Sequence, residues 1–288
     1  MIVESRGSKA LGRPVAEQVK KKKGTDRRSG RDRLIVLATQ AALSVLILGT
    51  WQLLVENEVL REARYGSPFG TYSAVLELYR DGVLWKNSWA TLKATLWAFG
   101  IGSAAGIVIG LTLGTSEFLD RVFSPLVSIL NSMPRIAFAP LLIVWFGLTM
   151  WAKVWMGASL AVFIMLLNTR AGARGVDRDL RRLAKVTHQN TRRYFLRIVL
   201  PSSLPSIFAG LRLSVVYCLL GVIASEMIVA IDGLGTLVVR FSSTTLDVNA
   251  VFGTLLVIAL VAALLSSVIE VTERRLLHWQ MDPGFGRR

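Results

Sequence analysis

Cysteine occurs once in the 288 residues and histidine only twice. The lone Cys218 excludes an intramolecular disulfide, and inside an apolar run it reads as a small packing residue rather than a nucleophile. His188 and His278 stand far apart with no second ligand at metal spacing, so no metal centre is expected. No G-x-x-x-x-G-K-[ST] phosphate loop occurs, which argues against ATP binding by this chain. The glycines at 100, 102, 106 and 110 make no dinucleotide fingerprint, because they sit in an apolar run rather than after a strand. No Ser–His–Asp set can be nominated, and Asp177 with Asp179 reads as a solvated helix start. Neither an enzyme nor a cofactor is therefore expected.

Charge is scarce as well. Only 18% of residues are charged against 52% hydrophobic, with a mean hydropathy of +0.50. The charge that exists is one-sided, 34 Lys and Arg against 19 Asp and Glu, a net +15. Two classes fit such a balance: a nucleic-acid-binding protein, or a membrane protein with its basic residues on one side. Position separates them. Eleven basic residues fall in 1–33, nine in 170–205 and four after 272, with long apolar runs between. An RNA-binding surface would interleave basic and exposed aromatic residues in a soluble module, whereas here most tryptophans lie in or beside the apolar runs. The reading is a membrane protein, with no nucleic acid among its partners.

Residues 1–33, with Lys20 to Lys23 consecutive, form an expected disordered basic tail. Such a tail is attracted to the headgroups of membrane lipid, but a topology-setting cytoplasmic tail is the better reading. Residues 34–55 carry no charge and as a helix would reach roughly 33 Å, enough to cross a bilayer. The run ends in Glu56–Asn57–Glu58 rather than at a cleavage site, so it is read as a retained first span. Residues 56–85 then form an external loop. Further spans are expected at about 90–114, 124–147, 151–169, 206–229 and 251–271, with Asn87 and Ser88 as caps for the second. The class is therefore an all-α integral membrane protein of six transmembrane helices.

Six spans put both termini on one side, and the positive-inside rule says which. With the N-terminus inside, inner segments hold 25 basic residues and outer loops six: Arg61, Arg64, Arg80, Lys86, Lys153 and Arg240. Lys93, Arg135 and Arg212 lie within or at the edge of spans. In the second span Gly102, Gly106, Gly110 and Gly114 recur every four residues, a small-residue stripe for close helix packing.

Between the fourth and fifth spans runs TRAGARGVDRDLRRLAKVTHQNTRRYFLRIVLPSSLP, residues 169–205. Its nine basic residues face only Asp177 and Asp179, while Leu180, Leu183, Ala184 and Val186 keep helical spacing. A cationic amphipathic element at the inner surface is expected, ended by Pro201 and Pro205 so that the fifth span starts cleanly. This segment resembles the cytoplasmic loop of ABC-importer permeases, whose pattern is E-A-A, a glycine four residues later, then L-P. The matching positions are Arg182–Leu183–Ala184, His188 and Leu200–Pro201. The stretches PRIAFAPLLIVWFG (134–147), PSSLPSIFAGLRLSVVYCLLGVIASEMI (201–228) and GLGTLV (233–238) are similar to the subfamily for nitrate, sulfonate, taurine and related molecules.

The resemblance spans about residues 84–280 and makes 86–280 a permease core, followed by a cytoplasmic tail at 281–288. It implies two ABC ATPase subunits, an external substrate-binding protein, either periplasmic or lipid-anchored, and a second permease copy, in a bacterial inner membrane. It places ATPase coupling on Arg182, Leu183, Ala184, Lys185, His188, Leu200 and Pro201. The usual Glu is Arg182 and the usual Gly is His188, a poorer residue for a turn of positive φ.

Glu226 lies deep in the fifth span, where an ionisable group needs a partner or a water-lined path. Arg212 and Arg135 are the candidate partners, and all three are candidates for lining the passage. An ion-coupled secondary transporter using Glu226 is the alternative, though such folds usually show repeated spans and none is evident. The charge reversal at Arg182 implies an ATPase groove with acidic charge. Arg182→Glu is therefore expected to weaken co-purification with the ATPase subunits, and unchanged association and uptake would remove that role.

Overall fold

The computed structural model describes residues 28–177, 190–229 and 231–276, and every regular element among them is helical. The chain divides after residue 60 into two units. The first contains α1 (Arg28–Glu56). Its Thr39, Ser44 and Thr50 hydroxyls each donate to the carbonyl four residues back. A helix surrounded by hydrocarbon thus leaves none of the three unpaired.

The second unit begins with α2 (Glu62–Tyr65), α3 (Pro68–Arg80), α4 (Val83–Thr115) and α5 (Glu117–Ser132). A 3₁₀ turn (Arg135–Phe138), α6 (Ala139–Phe146) and α7 (Met150–Arg174) follow. After the undescribed 178–189 come α8 (Thr191–Tyr194), a π-helical turn (Phe195–Val199) and α9 (Leu200–Val229). Then come α10 (Leu234–Val239), a second π-helical turn (Arg240–Thr244) and α11 (Val248–Leu276). Among the described residues five helical runs are long and apolar enough to cross a membrane, six if the bent pair of α5 and Arg135–Phe146 counts as one span.

One expectation is met and two are corrected. First, the third span is broken at Pro134, as the ring of that proline leads one to expect: α5 and Arg135–Phe146 meet at 79°. Met133 is extended (φ −73°, ψ 135°) because it precedes Pro134, whose ring disfavours the helical region for its neighbour. Second, Pro201 and Pro205 do not divide a surface element from a span. Helix runs from Thr191 through both, and the π-helical turn just before them, closed by Leu200 N–H on Phe195 O, lets the chain continue. Third, Asn87 caps nothing. Helix α4 already starts at Val83, after Gly82 at φ 71°.

Helix α7 packs between α4 and α9. A Cβ on Gly102 would lie 2.7 Å from the Ala161 Cβ, and one on Gly110 2.7 Å from the Leu166 carbonyl. One on Gly114 would meet the Ala173 Cβ at 2.5 Å, and one on Gly106 would strike Met165. On the other side Gly157 of α7 faces Ala98 of α4 and the Cys218 carbonyl of α9, while Gly221 lies against the backbone of Gly157. Buried Ala94, Ala98, Val154, Ala158, Ala161, Cys218 and Val222 fill the level between. In lipid there is no hydrophobic drive to bring helices together, so this backbone approach and its dispersion contacts supply the association.

At the start of α3 the Glu62 carboxylate accepts from Ser67 Oγ at 2.7 Å and from Asn249 Nδ2 at 3.1 Å, while Asn249 Oδ1 accepts from Ser67 N–H at 2.8 Å. This ties α2 and α3 to the first turn of α11. The hydrogen bonds, that of Ser67 foremost, hold the Glu62 carboxyl below its usual range.

Gly106→Val should lower the unfolding free energy in bicelles by about 1–3 kcal/mol through overpacking, whereas Gly100→Ala, where a Cβ meets nothing within 4 Å, should be near neutral. Because the folded pKa of Glu62 is depressed, its contribution is full above about pH 4.3, the ordinary Glu value, and is lost as pH falls through the lower folded value. Glu62→Gln should therefore shallow the acid limb of a thermal-midpoint-against-pH curve.

Candidate functional site

Glu226, in the last turn of α9, is 2% exposed. Its partner is Lys153, in the first turn of α7 and 6% exposed, with Nζ 3.4 Å from Glu226 Oε1. The same ammonium donates to the Asp232 carbonyl at 2.6 Å and pairs with the Asp232 carboxylate. Thr91 Oγ lies 3.0 and 2.9 Å from the two Glu226 oxygens, and accepts from Leu234 N–H at 2.8 Å. Gly235 N–H donates to Glu226 Oε2 at 3.0 Å. Gly233 N–H donates to Asn87 Oδ1 at 2.8 Å.

Four segments thus converge on one carboxylate: α4 through Thr91, α7 through Lys153, α9 itself, and the turn into α10. Gly233 takes φ 117° there, and a Cβ on it would collide with the Glu226 carboxylate, so backbone geometry and space both demand glycine. Every formal charge in the cluster is met by an opposite charge or a backbone dipole. That is what a buried ion needs if its desolvation is to be offset.

A second cluster lies at the other end of α7. Asp120, in the first turn of α5 and buried, is paired with Arg170, Nε to Oδ1 at 2.5 Å, and with Arg174. Arg170 also donates to Ser124 Oγ at 3.0 Å. The arginines belong to the last turns of α7, directly before 178–189. Asp120 also suits the positive end of the α5 dipole.

The residues read from the sequence are distributed differently. Arg182, Leu183, Ala184, Lys185 and His188 lie outside the described residues. Leu200 opens α9 and Pro201 is its second residue. Neither arginine reaches Glu226, which corrects the expected partnership. Arg212 pairs with Glu273 of α11. Arg135 sits at the bend, donating to Leu130 O at 3.2 Å and Asn131 Oδ1 at 3.1 Å, with its guanidinium 3.9 Å from the centroid of the Phe163 ring. Gly102, Gly106, Gly110 and Gly114 line the α4–α7 seam rather than this site.

Lys153, Thr91, Asp232 and Asp120 are not among the site residues read from the sequence, and Asn87 is read there only as a cap. Lys153 counts there with the outer loops, although a buried acid in one span calls for a cation within reach in another. The ion-coupled alternative loses its premise here, because Glu226 is already bound by an ammonium and an amide.

Residues 102–278 match the family described as binding-protein-dependent transport system inner membrane component. SsuC of Bacillus subtilis, a transport permease protein named for aliphatic sulfonates, is 29% identical over 283 residues, covering 97% of this chain and 98% of that one. The formylaminopyrimidine transport permease protein ThiX of Halalkalibacterium halodurans is 33% identical over 193 residues, covering 66% and 77%. The inward-facing MetNI methionine ABC transporter shares the fold, with a TM-score of 0.60 at 17% identity over 67% of this chain and 95% of that one.

Removing one side of the buried pair should be costly. Lys153→Met, which leaves Glu226 without its cation, is expected to lower stability in bicelles by about 3–5 kcal/mol. The double variant Lys153→Met/Glu226→Leu should recover at least half of that loss. A double variant as unstable as the two single changes added together would show that the pair is not coupled.

Proposed function

The chain belongs to the family of binding-protein-dependent transport system inner membrane components and is the permease subunit of an ABC importer, and on that premise we propose how it works. It spans the bacterial inner membrane with both termini in the cytoplasm. Two copies enclose the path, two ATPase subunits dock on the segment around 180–190, and an external binding protein delivers a small molecule of the nitrate, sulfonate and taurine class. The chain does no bond chemistry; it forms the path and transmits motion. In this reading Arg182, Leu183, Ala184, Lys185 and His188 meet the ATPase, and Leu200 and Pro201 join that contact to α9.

The observation that carries the reading is the family match over residues 102–278, which takes in α7, the 178–189 segment and α9 as one block. Within it, the Asp120 ion pairs hold the end of α7 against α5 just where the docking segment leaves. Movement of that segment is thereby passed to helices rather than absorbed in a loose joint. At the opposite end, the Lys153–Glu226 cluster passes the displacement from α7 to α9 and α4.

The test is reconstitution of the chain with its ATPase and binding protein in liposomes. Uptake should require ATP and all three components, and uptake by this chain alone would overturn the reading. Asp120→Asn should leave the ATPase subunits bound while lowering uptake per ATP hydrolysed by about an order of magnitude, the loss of roughly 1.4 kcal/mol of coupling.

A further inference from the structure

The Lys153 cluster forms one wall of a cavity of about 470 Å³ whose other walls come from the first turns of α4, the α6–α7 connection and the turn after α9. That volume falls in the range of small-molecule sites. Lys86, Trp89, Ala90 and Lys93 all line it. Their spacing of three, four and seven residues puts them on a single face of α4.

The three lysines of the cavity are not equivalent. Lys153 is occupied by Asp232 and Glu226 and is held rigidly. Lys86 and Lys93 have no acidic partner among the described residues. Two uncommitted lysine side chains thus leave the same face of α4 from backbone positions about 10 Å apart along its axis, and the Asp232 carboxylate, which also lines the cavity, is engaged by Lys153. Trp89, Leu148 and Ile231 supply the apolar part of the lining.

We infer that this cavity is a reception site for the cargo, in which Lys86 and Lys93 take the anionic head of a small organic oxyanion and Trp89, Leu148 and Ile231 its apolar body. The inference rests on the importer reading above and adds to it a location and a charge requirement. A cationic cargo would be repelled by both lysines, and an uncharged heterocycle would make no charge-assisted hydrogen bond with either. A sulfonate or carboxylate satisfies both, because each oxygen accepts a charge-assisted hydrogen bond. The family alone does not make this choice, since one relative is named for sulfonates and another for a formylaminopyrimidine.

The experiment is a titration of the full chain in lipid nanodiscs at constant ionic strength, read by tryptophan fluorescence. Sodium ethanesulfonate is the probe and ethyl methyl sulfone its uncharged match. A saturable change is expected with the sulfonate, none with the sulfone, and none in Trp89→Phe. Lys86→Gln and Lys93→Gln should each weaken the apparent affinity about tenfold, the scale of one lost hydrogen bond to a charged group, while Lys86→Arg and Lys93→Arg retain it. Equal responses to sulfone and sulfonate, or glutamine variants within twofold of the parent, overturn the site. So does a loss confined to binding-protein association with sulfonate binding intact, which would make the lysines a docking socket. ATPase association measured on the same samples needs neither lysine. If it persists without a sulfonate response, the site fails alone; if it is absent, the importer reading fails whatever the titration gives.

Discussion

The ion pair between Lys153 and Glu226 is the constraint around which the second unit is arranged. Neither residue can be buried alone, since an unpaired charge in this environment would cost several kcal/mol. Pairing fixes the rotation of α7 and α9 about their own axes. Thr91 and the amides of Leu234 and Gly235 then add α4 and the turn before α10 to the same arrangement. A buried ion pair need not add net stability over well-packed apolar residues. Its consequence here is register: a helix rotated by one residue would bring an aliphatic side chain to Glu226 instead of an ammonium.

Helix α7 is held ionically at both ends and by close packing in between. Lys153 stands in its first turn, Arg170 and Arg174 in its last two, and Gly157, Ala158 and Ala161 let α4 and α9 approach along the middle. At 25 residues it is about 37 Å long, comparable to the bilayer itself. A rod clamped at both ends moves as a unit. That makes it suited to link the segment after Arg174 with the cavity beside Lys153. The broken passage at Met133–Pro134 has the opposite character, because the bend interrupts the helix and leaves Arg135 to satisfy its own neighbourhood through Asn131 and the ring of Phe163.

Several features are legible in the chain itself. The apolar runs, their number and the glycine spacing in α4 depend on composition and local periodicity, so they can be read along one dimension. The subfamily resemblance rests on local strings such as GLGTLV, whose Gly233 takes a positive φ beside Glu226. Asn87 was misread for an instructive reason. An asparagine near a helix start has the chemistry of a cap, and only the neighbouring backbone shows that its oxygen accepts from Gly233 instead. The two prolines were misread similarly: their ring chemistry predicts a break, but a preceding π-helical turn accommodates them.

The sequence by itself determined that this is a polytopic membrane protein of the importer permease kind, because bilayer thickness, charge asymmetry and motif order act on contiguous residues. The tertiary structure alone decided which charges meet. Lys153 and Thr91 reach Glu226 across 73 and 135 residues of chain, and Arg212 turns away to Glu273. Such partnerships depend on helix rotation and approach, which close packing of the whole bundle sets and no local pattern encodes.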